Sequence, residues 1–267
     1  MKRIIAMVLG LSLLAAQACK DGGPEGPPPA LPPEASMVAD FSNFQNATPA
    51  PGIEASPGAS SAGTNWIYSA ATVLVWNTVL AVTLVAPVAA FRAAVGQTPT
   101  GENGAWVWRY TFMVGTVQHS ARLEARPATG GIDWDMYISR TGGYTDFHWY
   151  EGFSRLDGTS GTWSLMLSPD QPARFLDIAW NRNATAATGD IKYTNVLTGS
   201  QDSGSYILQA ITTGTFDASM ELGRASTSNV TRIEWNRANK SGRVRDQAHF
   251  GDALWHCWDG SLNNLAC

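Results

Sequence analysis

From Ala105 to about Asp246 the chain alternates apolar and polar residues with a period of two. Trp106, Trp108, Tyr110 and Phe112 alternate with Val107, Arg109 and Thr111, and Ala121, Leu123 and Ala125 with Arg122, Glu124 and Arg126. Ile132, Trp134, Met136 and Ile138 keep the same rule against Asp133, Asp135 and Tyr137. Successive side chains of a strand point to opposite faces, so each stretch predicts a strand with one buried side. Later inward positions read as Phe147/Trp149, Trp163/Leu165/Leu167, Leu176/Ile178/Trp180, Ile191/Tyr193, Tyr206/Leu208, Phe216/Ala218/Met220/Leu222, Ile233/Trp235 and Val244. Turn residues separate them, as at Thr141-Gly142-Gly143, Asp157-Gly158 and Ser241-Gly242, which predicts an antiparallel meander of ten or eleven strands.

A different pattern precedes the meander. Trp66 to Val95 is apolar on every side, with no charge before Arg92. Gly63-Thr64-Asn65 offers a helix start and Gly96 a stop, so the run predicts one long helix over 66–95, with Pro87 kinking its last turns. Such a helix has to be enclosed by protein or by lipid. Trp66 to Phe91 is long enough to span a bilayer, and the one-sided sheet offers a second enclosure. The expected fold is therefore mainly β: a large, strongly curved antiparallel sheet, half-barrel or open barrel, wrapped around the 66–95 helix. A further short strand is expected at Ser36 to Phe41.

The N-terminus adds a compartment. Lys2 and Arg3, an apolar core from Ile4 to Ala16, and Ala16-Gln17-Ala18 before Cys19 make an export signal over residues 1–18. This ending resembles the lipobox of bacterial lipoproteins, with Ala16 where leucine is usual. The resemblance implies cleavage before Cys19, a lipid on its sulfur, and, from Lys20 behind it, sorting to the outer membrane; ordinary cleavage before Lys20 is the other reading. Residues 19–35, with six prolines from Pro24 to Pro33, read as a tether reaching on the order of 45 Å at ~3.1 Å per residue, and residues 36–267 as a single domain.

Export bears on the remaining cysteines too. Cys257 and Cys267 are the only thiols after Cys19, and an oxidising compartment favours their pairing. With a formal charge of −4, 15% charged residues and no basic run, nucleic acid is excluded as a partner.

Candidate chemistry is sparse, and no cofactor motif is present. Of eleven tryptophans, Trp106, Trp108, Trp134, Trp149, Trp163, Trp180 and Trp235 fall on inward faces. With Trp76 on the helix they are the candidate lining of an apolar groove between sheet and helix, and Trp255 and Trp258 the candidate surface aromatics. His249, Asp252 and His256 are spaced to share one side of a helix and form a weak candidate metal set, set against a polar C-terminal turn. Asp133 and Asp135 lie two positions apart on a polar strand face, about 7 Å, a spacing that inverting glycosidases also use. No nucleophile motif accompanies them.

The reading is of a non-catalytic, lipid-anchored exported protein that binds an apolar ligand or a lipid-bearing partner in the sheet–helix groove. Its build is similar to the Lol-type lipoprotein carriers and receptors, half-barrels of eleven strands with helices in the mouth. Two alternatives stand beside it. One is an adhesive surface protein using its polar outer face (Arg122, Glu124, Asp133, Asp135, Tyr137, His148, Tyr150); the other is a hydrolase.

Overall fold

The computed structural model describes residues 22–44 and 63–267. The signal segment and Cys19 lie outside these residues. All eleven strands of the sequence pattern are present, and three short ones join them. In chain order they are β1 (Thr100–Glu102), β2 (Ala105–Val114), β3 (Val117–Ala128), β4 (Gly131–Arg140), β5 (Phe147–Arg155), β6 (Ser160–Met166) and β7 (Arg174–Asn183). There follow β8 (Thr188–Asn195), β9 (Tyr206–Ile211), β10 (Ala218–Arg224), β11 (Asn229–Trp235), β12 (Gly242–Arg245), β13 (His256–Trp258) and β14 (Asn264–Leu265). They form one 14-stranded sheet in sequence order, each pair antiparallel, and β1 does not pair with β14.

Inward residues form one core. Trp108, Trp134, Trp163, Trp180, Trp235, Leu123, Met136, Ile178, Tyr193 and Met220 are all buried. Several tryptophans lie directly across from a glycine of the next strand: Trp163 opposite Gly152, Trp180 opposite Gly161, Trp258 opposite Gly242. A Cβ on Gly152 would overlap the Trp163 ring, so the absent side chain is what lets the indole lie flat on the neighbouring strand.

The parity reading needs correction on two strands. Trp149 is the extra residue of a β-bulge: Met136 faces Tyr150, but Tyr137 faces His148. The bulge flips the alternation, so Tyr150 is fully buried and not on the outer face, while Trp149 is only partly buried. On β9 the inward residues are Ile207 and Gln209, not Tyr206 and Leu208. Gln209 is tolerated there because its Nε2 donates to the Asp40 carbonyl at 3.3 Å.

That carbonyl belongs to an N-terminal segment that fills the inner face. Met37, Ala39, Phe41 and Phe44 are buried with strand-like alternation, yet residues 36–41 are not a strand. Two short 3-10 turns, Glu34–Ser36 and Ser42–Phe44, flank them, and sheet side chains replace ladder partners. Tyr193 Oη donates to the Met37 carbonyl at 2.9 Å, and Trp163 Nε1 to Ser36 Oγ at 3.3 Å. The proline-rich stretch is also laid on the domain, where a free tether was expected. The Gly104 N–H donates to the Gly22 carbonyl at 2.9 Å, Leu31 packs on the core, and Pro32 is buried.

The 66–95 run forms two helices, not one: α1 (Thr64–Thr83) and α2 (Val85–Ala94). They meet at Leu84, whose φ of −96° and ψ of 5° leave the helical region. Pro87 lies four residues after Thr83; it offers no N–H to that carbonyl and its ring crowds it, so the break falls there. α2 packs on β2, with Tyr110 Oη donating to the Ala90 carbonyl at 2.8 Å. α1 starts on β12, β13 and β14, where Asn65 Nδ2 donates to the Cys257 carbonyl at 2.9 Å. The helical pair thus reaches from the last strands of the open sheet to its second. Cys257 and Cys267 are disulfide-bonded, with Cα atoms 5.3 Å apart, and hold β13 to the C-terminus.

One carboxylate ties α1 down. Asp246, buried and capping the short helix α3 (Gln247–Phe250), accepts from Tyr68 Oη at 2.5 Å, Thr231 Oγ1 at 2.5 Å and Asn229 Nδ2 at 2.9 Å. It also accepts from the N–H groups of Ala248 and His249. Burial alone would raise its pKa, but the bonds from Thr231, Tyr68 and Asn229 outweigh burial and hold the carboxyl below the usual range. Burial, then the bond to Asp246, pushes the Tyr68 phenol up to about 12.

Two sets of measurements follow from these contacts. Tyr193→Phe removes the bond to Met37 and is expected to cost about 1 kcal/mol in denaturant unfolding. Tyr150→Phe is expected to be neutral or slightly stabilising, because the Tyr150 hydroxyl is buried without a hydrogen-bond partner; an equal loss from both changes would refute this account. Asp246 stabilises the fold fully above the ordinary carboxylate range, and that contribution is lost as pH falls through its depressed pKa. Tyr68 stabilises it fully below the ordinary tyrosine value of 10, with loss as pH rises through about 12. Tyr68→Phe is therefore expected to move the acid unfolding midpoint to higher pH and to remove one phenol titrating at about 12 from an ultraviolet titration.

Candidate functional site

The outward side of α1 is the most unusual surface among the described residues. Val75, Val79 and Val82 are 58%, 46% and 70% exposed and helical spacing lines them up on one side of α1, with Val85, 49% exposed, following at the start of α2. No charged residue occurs from Thr64 to Phe91. Two hydroxyls turn back to the helix, Thr78 to the Leu74 carbonyl and Thr72 to the Tyr68 carbonyl, each at 2.9 Å, while the partly exposed Asn77 and Thr83 make no side-chain hydrogen bond among the described residues. The face therefore offers water few side-chain hydrogen bonds. Contiguous apolar surface of this kind marks an interaction site.

Only the opposite side of α1 is covered by the fold, by way of Asn65, Ser69, Ala70, Val73 and Leu80. By length and composition α1 could cross a bilayer. Its two ends, however, are held by the same domain: Thr64 and Asn65 by Asn264 and Cys257, and Leu84 by the core and by the turn into α2. In this arrangement it lies along a surface and does not pass through one.

A cleft opens beside it. Leu80, Leu84, Val88, Val38, Phe41 and Tyr193 line a mainly apolar cavity of about 260 Å³, with Arg92 at its rim paired to Glu34 at 2.5 Å. Pockets that bury a drug-sized ligand are usually ~300–1,000 Å³, so this cleft suits one end of an acyl chain and not a whole lipid. Of the expected groove tryptophans, Trp106, Trp108, Trp134, Trp163, Trp180 and Trp235 are buried, Trp76 and Trp149 are only partly buried, and none lines this cleft; Trp235 with Trp66, Phe44 and Leu262 lines a second cavity of about 360 Å³. The segment from Met37 to Phe44 occupies the space a groove would need.

The other sequence candidates also find their places. His249 and His256 do not converge on Asp252: Phe250 stands between them, stacked on His256 at 3.8 Å, while His249 stacks on Tyr68 at 3.7 Å. Asp252 Oδ1 lies 3.1 Å from His256 Nε2 alone. The three do not form a metal set. Trp258 is buried, its Nε1 donating to the Lys240 carbonyl, and Trp255 is half-covered by the guanidinium groups of Arg243 and Arg245. Asp133 is exposed, while Asp135 is engaged by Arg126 at 3.3 Å and by His148 at 3.0 Å.

Sequence reasoning placed the helix inside the sheet, with lipid as the other enclosure, and did not anticipate a helix covered on one side only. The signal was available: a helix apolar on all sides exceeds what one face of a sheet can cover. Set against protein-family models, curated proteins and solved structures, the chain matches none.

Proposed function

We propose that this is an exported, non-catalytic lipoprotein, anchored by a lipid on Cys19, whose α1 face lies in the acyl layer of the membrane that holds the anchor. The observation that carries the reading is the uncharged, exposed apolar stripe Val75, Val79 and Val82, continued by Val85 at the start of α2. A lipid surface favours a helix with few unsatisfied polar groups, and the hydroxyls of Thr72 and Thr78 bond back to α1.

The N-terminus supports the same placement. Gly22 is fastened to Gly104, so three residue steps separate Cys19 from the folded domain, a reach of roughly 10 Å at ~3.3–3.6 Å per residue. An anchor that short keeps the domain at the bilayer surface. The cleft at Leu84, Val88 and Tyr193 then takes an acyl chain end from that layer, which retains the apolar-ligand reading in a smaller form. Lys20 after the cysteine favours the outer membrane.

The test uses the chain from Lys20 onward, without signal or lipid, mixed with vesicles of phosphatidylethanolamine and phosphatidylglycerol. It is expected to float with the vesicles, and a variant carrying Val75→Lys, Val79→Lys and Val82→Lys is expected to remain in solution with an unchanged circular dichroism spectrum. Each lysine at an acyl depth costs about 2.5–3.5 kcal/mol, falling toward the interface, so three should abolish binding. A wild-type chain that is monodisperse in detergent-free buffer and ignores vesicles would overturn the proposal.

A further inference from the structure

The β5 bulge does more than bury Tyr150. An unbroken strand would send residues 148 and 151 to opposite faces, because they are three positions apart. With Trp149 inserted as an extra residue, His148 faces Tyr137 and Glu151 faces Asp135, so both emerge on the outer face of the sheet. There the ligand atoms of Asp135, His148 and Glu151 all lie within 4.8 Å of one another. His148 Nε2 and Asp135 Oδ1 are already 3.0 Å apart.

Charge at this point is out of balance. Glu124, Asp135 and Glu151 are directly opposed across β3, β4 and β5, and like charges so placed destabilise a sheet. Glu124 is paired with Arg122 and Arg126, and Asp135 with Arg126 and His148. Glu151 has no hydrogen bond or ion pair among the described residues. The imidazole is held from behind: it stacks on Tyr137 at 4.8 Å, and the Arg122 guanidinium covers that ring at 3.8 Å. Asp135 is oriented through Oδ2 by Arg126, which turns Oδ1 toward His148 Nε2 and the shared ligand position. Such outer contacts are the usual support of a metal ligand set.

We propose that Asp135, His148 and Glu151 form a binding site for a first-row divalent transition metal ion, with Zn²⁺ as the ion to test. One imidazole and two carboxylates suit such a cation, and three protein ligands leave a fourth position for water. Metal–ligand bonds of ~2.0–2.2 Å require ligand atoms roughly 3.3 Å apart in a tetrahedron, so the set closes with a rotamer change of the exposed Glu151. The site is independent of the α1 face and of any lipid.

The experiment is calorimetric titration of the purified protein with ZnCl₂, paired with thermal unfolding with and without the ion. Wild type is expected to take up one equivalent and to unfold at higher temperature with Zn²⁺ present. His148→Gln and Glu151→Gln are each expected to weaken uptake by about tenfold or more and to remove the thermal shift. His256→Gln is expected to change neither. All three residues are at least partly exposed, so these variants fold. Absence of saturable uptake by wild type, or uptake that survives His148→Gln but is lost in His256→Gln, overturns the proposal.

Discussion

An unclosed meander of fourteen strands has one apolar face that must be kept from water, and the rest of the molecule is arranged by how that face is covered. The long apolar helix is not the main cover. α2 and the segment from Ser36 to Phe44 lie on the inner face, fastened by Tyr110, Trp163, Tyr193 and Gln209, each donating from the sheet. Because these two pieces occupy the inside, α1 is displaced to the opening, held on one side by Asp246 and the last strands and bare on the other.

That displacement links the fold to the proposed role. The core is packed with indoles over glycines and covered by residues 34–44. Apolar surface is accessible on the α1 stripe, in the small cleft at its turn into α2 and in the cavity at Trp66 and Trp235. Together with a docked N-terminus, the stripe and the cleft are what the proposed membrane contact rests on. The polar outer face is a separate matter: its Arg–carboxylate lattice on β3, β4 and β5 is largely self-neutralised, except at Glu151.

The two strands whose parity was misread show where pattern reasoning stops. At β5 an inserted residue is invisible to a period-two count, because Phe147, Trp149 and Tyr150 are all aromatic and either register looks apolar. At β9 Gln209 reads as outward, since only the Asp40 carbonyl, 169 residues away in sequence, makes it an acceptable core residue. Each error conceals a contact that organises something: the bulge gathers His148 and Glu151, and Gln209 anchors the N-terminal segment.

By itself the sequence determined the fold class, an antiparallel meander of ten or eleven strands, the burial of the strand tryptophans other than Trp149, and the Cys257–Cys267 pairing. These follow from local periodicity, turn chemistry and cysteine count, which need no knowledge of what packs where. The tertiary structure decided what covers the inner face, where the helix breaks, which side of α1 stays bare, and which titratable groups meet. Those outcomes depend on competition among distant segments for one apolar surface. The run from Trp66 to Val95 and the segment from Met37 to Phe44 are both apolar enough to win it, and only their packing against Tyr110, Tyr193 and Asp246 settles which lies inside.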